Sequence, residues 1–159
     1  MAQTKGRPER KVIAKNRRAH HDYEILETWE AGVELLGSEV KSLRERPSQI
    51  SDSFCIIRAG ELFLVGMHVH PYSHLGGWSV DPDRRRRLLM HRRQIDYLDG
   101  KLRTKGLAVV PLELYFDDHN RVKLLVGLGR GKKTYDKRAD LARKQADRDI
   151  QRALKERSR

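Results

Sequence analysis

Apolar positions recur first with the period of a strand. Across residues 23–29 they alternate with polar ones, Tyr23, Ile25 and then Trp29 falling on one face; Ala31-Gly32 interrupts the run and 33–36 resume it, which predicts a hairpin. A one- to two-turn helix is expected next, because Ser38 is a good N-cap, Glu39 lies in the first turn, Val40 and Leu43 share a face and Pro47 stops the segment. Residues 54–58 and 62–70 are rich in β-branched and aromatic side chains and flank Ala59-Gly60, predicting a second hairpin that turns at the glycine. Residues 71–80, with Pro71, Gly76 and Gly77, read as a loop. Asp81-Pro82 has the form of an N-cap followed by proline at the first helical position. Leu88, Ile95, Leu98 and Leu102 then recur at helical spacing up to a stop at Gly106, predicting the longest helix ahead of the tail. Residues 107–116 and 121–128 alternate around Asp117-Asp118-His119-Asn120, a third hairpin with a four-residue loop.

Six short antiparallel strands with helices between them suit a small closed barrel better than an open sheet, since closure removes exposed edges. The expected fold class is mainly β: a closed six-stranded antiparallel barrel of the oligonucleotide-binding type with about three helices, a basic N-terminal arm and a C-terminal tail. Residues 1–15 are polar, cationic and aperiodic, so nothing offsets their ordering entropy, and a flexible arm is expected. Residues 16–130 form the barrel domain in this division and 131–159 the tail. In the tail, Ala139, Ala142, Ala146, Ile150 and Ala153 have helical spacing, with Asp140 and Lys144 as an i,i+4 pair. So thin an apolar stripe makes a marginal helix, expected to be disordered when free and to fold on a partner.

Charge sharpens this picture. Residues 1–18 carry seven Lys/Arg against one acid, residues 127–159 carry twelve against five, and the middle is nearly neutral, within a formal net charge of +12. Two cationic ends on a neutral body suit a polyanion, and nucleic acid is the expected partner. The lone Cys55 forms no intrachain disulfide, no apolar h-region follows Met1-Ala2-Gln3-Thr4, and no apolar run approaches the roughly 20 residues that span a bilayer, so a cytoplasmic protein without membrane association is expected.

Candidate chemistry is sparse. The glycines after the last strand miss the P-loop pattern, because Lys132 stands five after Gly127 where a second glycine belongs. They read instead as letting backbone and lysines approach phosphates. His68 and His70 alternate along a strand, but two ligands without a third are weak evidence for metal. Cys55, between Phe54 and Ile56, reads as a packed thiol. No nucleophile–base or paired-carboxylate arrangement stands out, so neither catalysis nor a cofactor is expected. Arg84 to Arg87 point around more than half of the predicted helix and read as a phosphate patch or as a solvated face. Tyr135, among Lys132, Lys133, Lys137 and Arg138, offers a base a stacking surface in a cationic setting.

Asn16-Arg17-Arg18-Ala19-His20-His21-Asp22-Tyr23, Gly37-Ser38-Glu39-Val40-Lys41-Ser42-Leu43-Arg44, Asp52-Ser53, Pro71-Tyr72, Leu98-Asp99-Gly100-Lys101, Lys105-Gly106, Val110-Pro111-Leu112 and Gly131-Lys132-Lys133-Thr134-Tyr135-Asp136-Lys137-Arg138 occur in that order. Together they closely resemble the SsrA-binding protein family (small protein B, SmpB) over about residues 16–157. The resemblance implies an oligonucleotide-binding-type barrel that binds the tRNA-like domain of transfer-messenger RNA. It also implies delivery of that RNA to stalled 70S ribosomes, with elongation factor Tu engaged indirectly through the RNA, by a monomer without covalent chemistry of its own.

Carried over residue by residue, Asn16, Arg17, Arg18, His21, Glu39, Lys41, Ser42, Gly100, Lys101, Lys105, Arg130, Lys132 and Lys133 are the RNA-binding candidates. Tyr135, Asp136, Lys137 and Arg138 match the segment placed in the decoding centre against small-subunit rRNA, ahead of the tail in the empty message channel. Asp99 stands where an apolar residue is usual, and Arg46-Pro47 replaces a glycine-containing turn. From composition alone, a structural rRNA-binding ribosomal protein is the alternative.

Overall fold

A computed structural model describes residues 10–74 and 80–158. The elements in order are β1 (Lys11–Lys15), α1 (Arg17–Asp22), β2 (Tyr23–Val33), α2 (Gly37–Glu45), β3 (Phe54–Arg58), β4 (Glu61–Val65), β5 (Arg86–Leu89), α3 (Arg92–Leu102), β6 (Leu107–Phe116), β7 (Val122–Gly131) and α4 (Thr134–Arg157). The strands form one antiparallel sheet in the order β1-β6-β7-β2-β5-β4-β3. Mainly β is therefore right, while a closed six-stranded barrel is not: among the described residues there are seven strands, and β1 and β3 stay at the edges of the ladder. The sheet nevertheless curls until β3 lies alongside β6 without pairing to it.

Two hairpins form where local turn chemistry dictates them. Ala59 and Gly60, at φ 51° and 76°, take the left-handed backbone that joins β3 to β4. In the β6–β7 turn the Asp117 carboxylate accepts from the His119 and Arg121 amides at 2.9 and 2.8 Å, with Asn120 at φ 59°. The β4 strand ends at Val65, short of the expected residue 70, because Gly66 turns the chain at φ 87°.

The first expected hairpin is absent. Chain 23–33 is one continuous strand, and Gly32 pairs with Lys123 of β7 on one side and Leu89 of β5 on the other. A glycine fits here because an added Cβ would lie 3.2 Å from the Cβ of Leu89. The helix expected from Asp81 starts instead at Arg92. The Asp81 carboxylate accepts from the Asp83 amide at 3.0 Å, a turn that leads into β5. Residues 11–15, assigned to the arm by composition, form β1 against β6, and α1 is a fourth helix that periodicity alone did not signal. The helical spacing read in the tail is realised in α4.

One large core holds Leu62, Leu64, Leu88, Leu98, Leu114 and Leu124, with Ile95 and Leu98 supplied by α3. Each such side chain contributes about 1.5–3 kcal/mol by leaving water. A smaller cluster of Ala19, Val110 and Leu112, with Tyr23, Ile25 and Leu125 against it, seats α1 on β6 and β7. Close approach there explains two glycines. A Cβ on Gly127 would lie 2.9 Å from Leu112 Cδ1, and one on Gly129 would lie 2.9 Å from Tyr23 Cβ.

Candidate RNA-binding surface

The short helix α1 is fixed by Asn16. The Asn16 amide nitrogen donates to the Leu112 carbonyl and its side-chain Nδ2 to the Pro111 carbonyl, both at 2.8 Å, while its Oδ1 accepts from the Ala19 amide at 3.1 Å. Asn16 is buried, and its polar atoms are spent on β6 and on capping the helix. It therefore presents no side chain to a partner; it turns Arg17 and Arg18 outward. Both are exposed, and Arg18 reaches the exposed Asp52 carboxylate at 2.9 Å. Half-buried His21 lies 3.0 Å from Asp22 Oδ1. The hydrogen bond from His21, with the help of Lys137, holds the Asp22 carboxyl below its ordinary value against the opposing effect of burial.

The end of α3 adds exposed Gly100, Lys101 and Lys105. The Lys101 ammonium lies 5.4 Å from the centre of the Tyr97 ring, a cation–π contact, and Tyr97 donates to Glu27 at 2.7 Å. The turn closes at Gly106, φ 88°, whose carbonyl accepts from the Gly131 amide at 3.0 Å. Leu107 pairs with Arg130, and the Lys132 amide donates to the Asp22 carbonyl at 2.9 Å. Three elements thus meet at one end of the molecule: α1, the α3–β6 turn and the exit of β7. The exposed cations gathered there are Arg17, Arg18, Lys101, Lys105, Arg130 and Lys133. A groove of about 520 Å³ opens between β7 and α4, lined among others by Arg130, Lys132, Lys133, Tyr135 and Arg143.

Lys132 is less free than its neighbours. Its ammonium donates to the His20 carbonyl at 3.0 Å and to the Asp140 carboxylate. In α4 Tyr135 is exposed, Lys137 lies 3.3 Å from Asp22 and Arg138 is exposed. Asp136 lies in the same helical turn, its side chain outside those described.

Glu39 and Ser42 are placed elsewhere and turned inward. Glu39 is buried and binds two guanidinium groups, with Arg84 Nη2 at 2.5 Å and Arg86 Nε and Nη2 at 2.8 and 2.6 Å. It also accepts the Leu36 amide at 3.0 Å, which fixes the start of α2. Burial alone would raise the Glu39 pKa, but the Leu36 amide and the two arginines outweigh it and leave it lowered. Ser42 donates to the His70 carbonyl. Only Lys41 of this set is exposed, 5.7 Å over the Tyr72 ring. Among the described residues, no hydrogen bond or ion pair joins this group to the cationic end or to Asp99. Arg46 and Pro47 are exposed beyond the end of α2.

Residues 84–87 are not helical, and each of their guanidinium groups has a partner within the chain. Arg84 and Arg86 bind Glu39, and Arg85 lies 4.3 Å over the Phe63 ring. Arg87 bridges Glu34 and Glu61 at 2.8 and 3.1 Å. Arg86 is fully buried, also donating to the Met67 and Pro82 carbonyls. Its spacing two before Leu88 is the only sequence signal of that burial, and a charge in the inward position masked it.

His68 lies 2.9 Å from Asp83 and 5.0 Å from the His70 ring. No group of three or more His, Cys, Asp or Glu among the described residues is arranged to hold a metal ion. Cys55 is buried, its thiol pushed up to about 12 by loss of water. No described helix is long and apolar enough to cross a membrane.

The family model described as SmpB protein matches residues 13–156. An SsrA-binding protein of Desulforamulus reducens is 46% identical over 149 residues, covering 94% of this chain and 92% of its own. One from Mycobacterium leprae is 50% identical over 151 residues, covering 94% and 93%. A solved structure described as "tmRNA-SmpB: a journey to the center of the bacterial ribosome" is 48% identical, with a TM-score of 0.62 over 76% of this chain and 84% of that one.

Proposed function

The chain belongs to the SmpB family, and from that premise we propose that it is a non-enzymatic RNA-binding adaptor of trans-translation. It binds the tRNA-like domain of transfer-messenger RNA and brings it, with elongation factor Tu engaged through the RNA, to stalled bacterial ribosomes. The observation that carries this is the meeting of α1, the α3–β6 turn and the exit of β7, which collects Arg17, Arg18, Lys101, Lys105, Arg130 and Lys133 at one end. Cations spaced along three backbones suit the phosphates of a folded RNA rather than a small anion.

In this reading residues 16–130 are the RNA-binding body, of oligonucleotide-binding type; the curl that lays β3 beside β6 supports that description. The tail from 131 enters the decoding centre and the message channel, with Tyr135 stacking on a base. Asn16, Glu39 and Ser42 serve by placing α1 and α2, and the exposed cations touch the RNA. The setting is the cytoplasm.

Sequencing the RNA that co-purifies with the tagged protein tests the proposal. One stable RNA with a tRNA-like end, enriched over rRNA, is expected. Recovery of rRNA alone, retained through a high-salt wash at one copy per ribosome, would overturn it in favour of a structural subunit.

A further inference from the structure

A second groove, of about 280 Å³, lies beside α1 on the sheet face that carries this helix. Ile25 of β2, Leu112 of β6 and Leu125 of β7 give it an apolar floor, and Lys15, Arg17, His20, Thr28 and Glu113 supply its polar lining. Among the described residues, none of these five side chains makes a hydrogen bond or an ion pair, although Asn16 and Arg18 of the same segment are engaged. Lys15 and Glu113 even stand opposite each other in the β1–β6 ladder, where unlike charges ordinarily pair, and do not pair. The backbone is shaped around the groove. Register shifts occur at three places in the described strands: between Val12 and Ala14, between Ile25 and Glu27, and between Pro111 and Glu113. Each shifted strand lines the groove. Leu112 and Glu113 both reach it from consecutive positions, and Ile25 and Thr28 from positions three apart, which regular alternation forbids and a bulge permits.

We propose that this groove binds one unpaired nucleotide of RNA, guanosine in preference, with its base on Ile25, Leu112 and Leu125, its Watson–Crick edge toward Glu113 and its phosphate at Lys15 and Arg17. An apolar floor with cations beside it matches a flat base joined to a phosphate, and the His20 ring adds a stacking surface. Glu113 makes the choice among bases. A carboxylate only accepts, and guanine alone offers it two adjacent donors, the N1 and N2 hydrogens. Adenine and cytosine offer one amino group, and the single imino hydrogen of uracil lies between carbonyls that repel the charge. A paired base has no free edge to present, so the nucleotide is an unpaired one. The groove and its ligand class stand on their own residues; only the assignment of that nucleotide to the RNA of the adaptor rests on the proposed function.

Methyl NMR of the full chain, labelled at Ile, Leu and Val and titrated with GMP, AMP, CMP, UMP or inorganic phosphate, tests the site itself. The Ile25 and Leu125 methyls should shift and saturate with GMP at least about fivefold more tightly than with the other three nucleotides. Glu113→Gln should erase that preference while the remaining methyl signals stay in place, which shows the variant folded. Lys15→Ala should weaken all four nucleotides alike. Equal affinity for the four, or the same shifts with phosphate alone, overturns recognition of the base. The absence of a saturable shift at these methyls overturns the site.

The source of the nucleotide is read separately, with a benzoylphenylalanine photocrosslinker in place of exposed Thr28. A transcript of the tRNA-like domain is offered in one arm and vacant ribosomes in another, and crosslinks are mapped as stops in reverse transcription. A stop at an unpaired guanosine is expected, and the arm in which it falls names the source. Binding in both arms with no crosslink, or with crosslinks to paired nucleotides alone, overturns the assignment to RNA while sparing the adaptor. Failure to bind the tRNA-like transcript while GMP still saturates the groove overturns the adaptor and leaves the site standing.

Discussion

A charged residue in this chain acts according to whether it is buried with partners or left in water, and the two fates have different signatures. Glu39 holds buried Arg86, so Glu39→Ala leaves a guanidinium without its counter-charge in a dry site and should cost about 3–5 kcal/mol in urea unfolding. Lys41→Ala, two residues on and exposed, should change stability by no more than about 0.5 kcal/mol. The sign of the pH dependence follows from the lowered Glu39 pKa. Its contribution is complete above the ordinary carboxylate value of 4.5 and disappears as pH falls through the lower folded value. The stability gap between the unsubstituted protein and Glu39→Gln should therefore narrow only in acid, which unfolding curves at stepped pH would check. Lys101 and Lys105 have the opposite signature: both are exposed, so their joint replacement by Ala should weaken RNA binding and leave the melting temperature unmoved. Unfolding of the double variant at unchanged RNA affinity would make them structural. Family resemblance put Glu39 and Lys41 in one functional set because it preserves positions. Burial separates them, and burial depends on Arg84 and Arg86 arriving from more than forty positions away.

Elements specified by their own turn were legible in the sequence, and elements specified by a distant neighbour were not. Ala59-Gly60 and the loop from Asp117 carry the backbone conformations and side-chain acceptors that reverse a chain, so both hairpins were readable. β5 was not readable, because its inward positions are Arg86 and Leu88 and only Glu39 makes an inward arginine acceptable. β2 was misread at Ala31-Gly32, where a small residue answers to Leu89 of β5 rather than to a turn. β1 was missed because five residues with a single buried apolar side chain, Ala14, show no period, and β6 supplies the ladder that orders them. The glycines of β7 give this lesson a test. Read in sequence they serve phosphate approach; in the structure Gly129 makes room for Tyr23, while Gly131 has only the Gly106 carbonyl at 3.9 Å. Gly129→Ala should cost about 1–3 kcal/mol by overpacking and Gly131→Ala close to nothing, measured by thermal unfolding. A Gly129→Ala variant with normal stability and lost RNA binding would restore the phosphate reading.

At the scale of the molecule, cations from both halves of the chain meet at one end. Arg17 and Arg18 enter through α1 and the C-terminal cations through the exit of β7, and the bond from the Lys132 amide to the Asp22 carbonyl sets the two segments side by side. If six to ten phosphates are neutralised there, affinity for the structured RNA should fall by a factor on the order of 10³ or more between roughly 50 and 200 mM salt. The tail projects from this end as a helix whose Leu141, Ile150 and Leu154 are more than half exposed, so its outer turns lend the body no core. Truncation after Arg138 consequently removes no buried apolar surface of the sheet and none of the cations on α1 or the α3–β6 turn. It leaves Lys137 on Asp22 and takes away only the Asp140 partner of Lys132, which keeps the His20 carbonyl. The truncated protein should unfold at the same temperature and bind the tRNA-like RNA with nearly the same affinity, yet fail to support peptide tagging on ribosomes stalled on a message without a stop codon. Binding and function come apart because the helix presents Arg143, Lys144, Arg148, Arg152 and Lys155 to walls of rRNA that only the ribosome supplies. Tagging at the normal rate by the truncated protein in a reconstituted system would remove the tail from the mechanism and leave the cationic end to account for the whole activity.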